Sequence, residues 1–163
     1  IYFKGPHFYD SALRVPLVIC WPSGGLREHL RATGLVELLD LVPTMLNAAN
    51  LEVPARVQGR SLMQVLRGEA DSSNIRPHVY SEYYNAWTHK HAYGTMFRSE
   101  SEKIIVYHGT DQGELYDLTA DPGEFRNLWG EPGEQDRKLR LMKACFDASV
   151  LAMDPEPPRL GPF

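Results

Sequence analysis

The stretch that decides the fold is Lys103-Ile104-Ile105-Val106-Tyr107-His108, followed after a Gly109 to Gly113 turn by Glu114-Leu115-Tyr116-Asp117-Leu118. Both runs are rich in β-branched and aromatic residues, and the turn suits an antiparallel hairpin. Working outward, Val79 to Tyr84 and His91 to Arg98 read as two more strands, with Ser99-Glu100-Ser101-Glu102 as the turn into Lys103. Asp121-Pro122-Gly123-Glu124 is a strong turn signal on the far side. Glu134 to Met153 then reads as the longest helix, with Leu139, Met142, Phe146, Val150 and Met153 at helical steps and expected to cover the sheet. Tyr116 and Trp129 are expected to pack between sheet and helix.

Upstream the period is different. Val15 to Trp21 is continuous and apolar, the pattern of a central strand buried on both faces, and Ser23-Gly24-Gly25 ends it. Thr33 to Asn50 has helical spacing, but Pro43 argues for a helix starting near Leu41 or Val42, with Pro43 in its first turn and Asp40 or a neighbour as cap. Gly59 to Leu66 predicts a second short helix stopped by Gly68. Glu69 to Pro77 reads as a linker. The expected domain line is therefore 1–70, a piece of a parallel α/β system, and 71–163, an antiparallel sheet plus helix. The first piece offers one central strand and no neighbours for it. A buried strand needs partners on both edges, so further chain is expected upstream.

The 163 residues are 43% hydrophobic and 23% charged, with a formal net charge of -4. That is an ordinary globular balance. The scattered Arg and Lys make no basic stripe, so no nucleic acid partner is expected. No stretch approaches the roughly 20 apolar residues of a membrane span, and no membrane partner is expected. The chain begins at Ile1 without a charged segment leading an apolar one, so the natural start is expected to be removed or not included, and no compartment is read. Cys20 and Cys145 are too few for a disulfide framework and are both expected to be buried thiols.

Three segments together resemble the sulfatase family of the alkaline phosphatase superfamily. Phe3-Lys4-Gly5-Pro6-His7-Phe8-Tyr9-Asp10-Ser11-Ala12-Leu13-Arg14-Val15-Pro16-Leu17 is similar to the family's stretch of Lys, an aromatic, an acidic residue, small residues and Arg-Val-Pro before an apolar strand. Asp40-Leu41-Val42-Pro43-Thr44-Met45-Leu46 resembles its Asp-x-x-Pro-Thr-x-Leu helix start. Glu114-Leu115-Tyr116-Asp117-Leu118, Asp121-Pro122-Gly123-Glu124 and Asn127-Leu128 resemble its C-terminal signature. The order and spacing of the three carry the match. The resemblance implies an α/β fold: part of an alkaline-phosphatase-like sulfatase fold, ending in a small four-stranded antiparallel sheet packed by a C-terminal helix.

It also implies a sulfuric ester hydrolase acting on a sulfated small molecule or sugar, with a formylglycine nucleophile and calcium. Family members carry the nucleophile and metal ligands upstream, and none is found here. The chain itself is expected to hold no cofactor or metal and to be inactive alone. Cys20-Trp21-Pro22-Ser23-Gly24 begins like the family's Cys-x-Pro-Ser-Arg, but Gly24 stands where Arg is needed, and a strand-end cysteine is the better reading. Lys4 matches the lysine that contacts substrate sulfate, and a compact ammonium with three donors suits an oxyanion. His7 is expected near that sulfate, as a substrate contact or a loop hydrogen bond. His89 and His91 are candidate substrate contacts at the rim of the cleft, against the plainer reading of an exposed loop. Their His-x-His spacing lacks the further ligand a metal site needs. Arg14 is expected to pair with a carboxylate and hold the Lys4 loop, while Glu82 is open between a cleft and a sheet-edge role. Phosphodiester and phosphonate hydrolases share the architecture and stand as the alternative chemistry. A non-catalytic module that self-associates through an exposed sheet edge is the third reading.

Overall fold

Alternation along four strands sorts the second half of the chain. In the computed structural model, which describes residues 7–85 and 92–152, these are β1 (His78–Tyr84), β2 (Tyr93–Ser99), β3 (Glu102–Tyr107) and β4 (Gly113–Asp117). They pair antiparallel in the order β1-β2-β3-β4. Each strand lies beside its neighbour in sequence, as short connections require. The register aligns Phe97 with Ile104 and Ile104 with Leu115 on one face. Met96, Ile105 and Glu114 align on the other. Because side chains alternate, the two faces carry separate clusters.

One face packs against a helix, α4 (Gln135–Leu151), which follows a 3-10 turn at Pro132–Glu134. Phe97, Ile104 and Leu115 meet Leu141, Cys145 and Ala148 there, with Trp129 and Leu128 at the margin. The opposite face buries Met96, Ile105, Tyr116 and Leu118 under Phe8, with Tyr9 and Leu13 packed beside it. Phe8 and Tyr9 lead into a single helical turn, α1 (Asp10–Leu13). Tyr116 thus sits on the face away from α4, while Trp129 packs on the α4 side as expected.

The helix itself is turned from the expected orientation. Leu141 is 2% exposed, whereas Leu139 is 70% exposed, and Met142, Phe146 and Val150 are exposed with it; Met153 lies outside the described residues. Leu141, Ala144, Cys145 and Ala148 share the same helical spacing as the larger set. Three of these four are small, so Leu141 is the one large side chain this stripe puts into the core.

The first half builds around a second helix, α2 (Leu41–Ala48), entered through a 3-10 turn at Leu38–Asp40 with Pro43 buried in its first turn. A short helix, α3 (Met63–Leu66), is half the expected length and ends, as expected, at Gly68, whose φ is +76°. Asp40 precedes α2 but its side chain does not cap it. Instead its carboxylate accepts from the Glu37 and Arg60 backbone amides at 2.9 and 2.7 Å and pairs with the Arg76 guanidinium. Thr44 Oγ1 donates to the Asp40 carbonyl at 2.6 Å and accepts from the Leu62 amide at 2.8 Å. The two polar residues of the Asp-x-x-Pro-Thr pattern therefore tie α2 to the segment that starts α3.

Val15 to Trp21 forms no strand. Val15, Leu17 and Trp21 are exposed, and Val18 is 88% exposed. A strand is defined by its ladder, and no described residue offers this segment an edge to pair with. Cys20 is accordingly exposed rather than buried, while Cys145 is buried. The expected turn after it does form, with the Gly24 amide donating to the Trp21 carbonyl at 2.9 Å.

By contacts the chain divides into two compact units, Ile1–Val18 with His78–Ser149, and Ile19–Pro77 with Val150–Phe163. The residues just after Lys4 thus belong with the sheet. Among the described residues no helix is long and apolar enough to cross a membrane.

The orientation of α4 is checked by two truncations in urea unfolding. Leu141→Ala should cost about 2–5 kcal/mol by emptying the core beneath the helix. Leu139→Ala should stay within about 0.5 kcal/mol.

Candidate functional site

The segment following Lys4 is fixed on the sheet by four charged residues that lie far apart in sequence. Lys103 sits on β3, and its side chain is 0% exposed. Its Nζ donates to Asp10 Oδ1 at 2.9 Å and to Glu124 Oε1 at 2.5 Å. Glu124 Oε2 also accepts from the Asp10 backbone amide at 2.7 Å, and Arg98 Nη2 donates to Asp10 Oδ2 at 3.2 Å. Two cations and two carboxylates thus close a network in which the buried ammonium meets opposite charge on two sides. A lone charge there would be prohibitive to bury.

Local geometry follows from that network. Glu124 has φ +58°, a left-handed conformation that side chains rarely adopt. The turn at Asp121 to Glu124 accepts this strain because it aims the carboxylate at both Lys103 and Asp10. Nearby, Gly94 lets Phe8 lie close to the sheet: a Cβ there would stand 2.9 Å from Phe8 Cε2. Arg14, expected to hold this loop, does reach Asp10, but at 3.8 Å from a largely exposed position. Such a pair contributes little. Lys103, Arg98 and Glu124 hold the loop instead.

Burial opposes ionisation of Asp10, but the hydrogen bond and charge of Lys103, with Arg98, outweigh it and hold its carboxyl below 3.8. A carboxyl depressed in the folded state stabilises the protein above its unfolded pKa, and the contribution is lost as pH falls through the folded value.

The same face of the sheet carries a polar aromatic group beside this network. Glu114 accepts from Tyr107 Oη at 2.8 Å and from Tyr116 Oη at 2.7 Å. Burial, reinforced by the Glu114 carboxylate, pushes both phenols above their ordinary value of 10.0. Both therefore stay protonated donors. Tyr9 lies tilted against Tyr116, with ring centroids 6.4 Å apart, and His7 stacks on Tyr9 at 6.1 Å. A chain of contacts therefore runs from Glu114 through Tyr116 and Tyr9 to His7, which is exposed. His7 presents an exposed imidazole three residues after Lys4 in the sequence.

Lys4, His89 and His91 lie outside the described residues. The residues flanking the two histidines are hydrogen-bonded, Asn85 amide to Ala92 carbonyl at 2.8 Å, at the β1–β2 end of the sheet. Tyr107, in the same strand-end layer, aligns with Gly94, the residue Phe8 approaches. Glu82 is exposed on β1 and accepts from Tyr80 Oη at 3.1 Å. Among the described residues, no group of three His, Cys, Asp or Glu is disposed to hold a metal ion.

Asp10, Arg98, Lys103 and Glu124 were not expected as a network. The available signal was Lys103 itself. It lies two residues from Ile105 on a strand, so alternation places its charge on a core face.

Lys103→Met should lower unfolding stability by about 3–5 kcal/mol, because Asp10 and Glu124 lose their shared partner while still buried. Asp10→Asn should weaken the protein near neutral pH. Its deficit against the parent chain should shrink as pH falls below 3.8, where the native carboxyl protonates. Urea midpoints measured across the acid range check both.

The sequence model of the N-sulphoglucosamine sulphohydrolase C-terminal family matches residues 1–149. An N-acetylglucosamine-6-O-sulfatase of Bacteroides thetaiotaomicron is 30% identical over 168 residues, covering 96% of this chain and 30% of that protein. The chain therefore spans about 30% of the length of that relative. A solved Bacteroides thetaiotaomicron structure assigned to the sulfatases superposes with TM-score 0.82 at 30% identity, covering 93% of this chain and 32% of that one. A phosphonate monoester hydrolase from Silicibacter pomeroyi superposes with TM-score 0.62 at 27% identity over 71% of this chain and 25% of that one. The four-stranded sheet with its packed C-terminal helix is thus the C-terminal architecture of these enzymes, and the chain belongs to the sulfatase family, as a C-terminal domain of the N-sulphoglucosamine sulphohydrolase type.

Proposed function

We propose that this chain is the C-terminal part of a sulfuric ester hydrolase that removes sulfate from a sulfated sugar, with residues 1–70 ending its catalytic domain and residues 71–163 forming its C-terminal subdomain. The observation that carries this reading is the meeting of two separated motifs. Asp10, six residues after Lys4, and Glu124, in the C-terminal signature, share the buried Lys103 ammonium. The subdomain thereby fixes the segment that leads out of Lys4, which supports delivery of that lysine to a sulfate bound elsewhere in the enzyme.

Each candidate residue then has a role. The Lys4 ammonium neutralises charge building on the sulfate oxygens, an interaction that strengthens toward the transition state. His7 hydrogen-bonds the ester side of the same group. His89 and His91 contact the sugar from the β1–β2 connection. Formylglycine as nucleophile and calcium as oxyanion clamp are the chemistry of the family, supplied in this reading by the remainder of the enzyme. The sugar is inferred from the N-acetylglucosamine-6-O-sulfatase relative. A phosphonate monoester hydrolase is the second reading, favoured by the similarity to the Silicibacter pomeroyi enzyme.

The test is sulfate release from N-acetylglucosamine 6-sulfate by the whole enzyme that contains this chain, with calcium. Lys4→Ala should lower kcat about 100-fold or more. The chain alone should release none, since a lone lysine supplies little of a barrier reduction of roughly 8 kcal/mol or more. Turnover by the chain alone would move the chemistry back into it. Faster cleavage of a phenyl phosphonate monoester than of any sulfate ester would favour the second reading.

A further inference from the structure

The face of the sheet that packs α4 ends, at the β1–β2 side, in four exposed groups: Glu82, Tyr84, Tyr93 and His108. Tyr84 and Tyr93 are cross-strand partners, 50% and 39% exposed. Their ring centroids lie 6.1 Å apart at an interplanar angle of 48°. His108 meets Tyr84 edge-on at 6.4 Å. It is held in turn by Thr95 Oγ1, 3.1 Å from its Nε2, and by its own backbone amide, which donates to the Tyr93 carbonyl at 2.9 Å. Glu82 lies two residues before Tyr84 on the same face. It accepts a hydrogen bond from Tyr80 Oη at 3.1 Å.

Two half-exposed rings are therefore fixed by strand pairing and by neighbours on both sides. Rigid tyrosines offer broad contact area at low entropic cost, and each has an apolar face with a polar edge. The rim supplies a carboxylate acceptor, two phenols and an imidazole. That combination does not suit an oily partner, which gains nothing from a carboxylate, and among the described residues these four groups include no lysine or arginine to draw a polyanion. It suits a sugar ring, whose C–H face stacks on aromatic carbon while its equatorial hydroxyls meet acceptors and donors at the edge.

We infer that Tyr84 and Tyr93, with Glu82 and His108 at their rim, form a binding platform for one sugar unit of a saccharide chain, and that this unit carries no sulfate where it meets Glu82. The carboxylate repels an anion at contact distance. The choice of an N-acetylglucosamine chain rests on the sulfatase reading above, whereas the stacking geometry does not. On this account the protein takes an oligosaccharide and grips a neutral unit apart from the one whose sulfate it removes.

The test titrates the chain with chitotetraose, a neutral N-acetylglucosamine oligomer, and with N-acetylglucosamine 6-sulfate, following the ring resonances of Tyr84, Tyr93 and His108 by NMR. Saturable shifts are expected with chitotetraose, and the sulfated monosaccharide should bind no tighter than unsulfated N-acetylglucosamine. Tyr84→Ala and Tyr93→Ala should each weaken chitotetraose binding about fivefold or more. Tyr84→Phe, which keeps the ring, should stay near the parent value. No saturable shift up to about 10 mM, or shifts that survive both alanine variants, would overturn the platform. Sugar binding without sulfate release by the whole enzyme would remove the sulfatase reading and leave the platform standing. Sulfate release without sugar binding here would remove the platform alone.

Discussion

A lysine with no solvent exposure must find its counter-charge inside the protein, and Lys103 finds it in Asp10 and Glu124. These partners stand 93 and 21 positions away in sequence. The ammonium has three protons to give, and two carboxylates approach it from different segments. Arg98, on the adjacent strand, satisfies the remaining side of Asp10. Replacing such a network by apolar groups can leave stability unchanged. Its distinctive effect is positional. An apolar contact tolerates sliding, whereas Asp10 is satisfied only where Lys103, Arg98 and the Glu124 carboxylate meet. The segment before α1 consequently has one seat on the sheet.

The other unit uses the same device with different residues. Asp40 is fully buried and takes the Arg76 guanidinium, while Glu37 pairs with that same arginine. The carboxylate also receives the backbone of Arg60, so an ion pair and a chain crossing are fixed at one point. Thr44 extends the crossing by two residues, to Leu62. Gly59 lies against the Leu39 carbonyl, where a Cβ would approach to 2.0 Å, so the chain passes too closely for any side chain. The two most polar members of the helix-start pattern are thus explained by what they hold: Asp40 closes a capping box with Glu37 at the 3-10 turn, and its side chain does not cap α2 itself.

What could be read in advance was local. Alternation marked β1 to β4 to within one or two residues, because period two is a property of the strand itself. The turn at Asp121 to Glu124 was visible for the same reason, and so was Gly68, whose positive φ favours glycine. The failures all concern partners. Val15 to Trp21 has the composition of a central strand, but composition expresses a need for burial and cannot supply the neighbouring edge. In α4, two stripes share one spacing. Hydrophobicity favours Leu139 and Phe146, while the fold buries Leu141, Cys145 and Ala148 with Ala144 beside them. Tyr116 was placed on the wrong face because its neighbour Leu115 faces α4, and alternation sends the next residue the other way. The Asp10–Lys103–Glu124 meeting depends on tertiary approach, so only the misplaced charge of Lys103 foreshadowed it. His7 was legible as a candidate, but its support through Tyr9, Tyr116 and Glu114 was not.

That alternation also divides the work of the sheet. Arg98, Lys103, Tyr107, Glu114 and Tyr116 share one face, where Arg98 and Lys103 hydrogen-bond Asp10 of the incoming segment and the two tyrosines hydrogen-bond Glu114. Phe97, Ile104 and Leu115 share the other, where α4 takes the core and leaves Tyr84, Tyr93 and His108 at the end. Adjacent residues in one strand therefore serve opposite faces: Tyr83 aligns with Gly94 beneath Phe8, and Tyr84 aligns with Tyr93 in the exposed pair. The β-sheet between them is rigid and common to both. A substrate gripped on one side and a charged segment seated on the other would share that reference frame, with no side chain belonging to both.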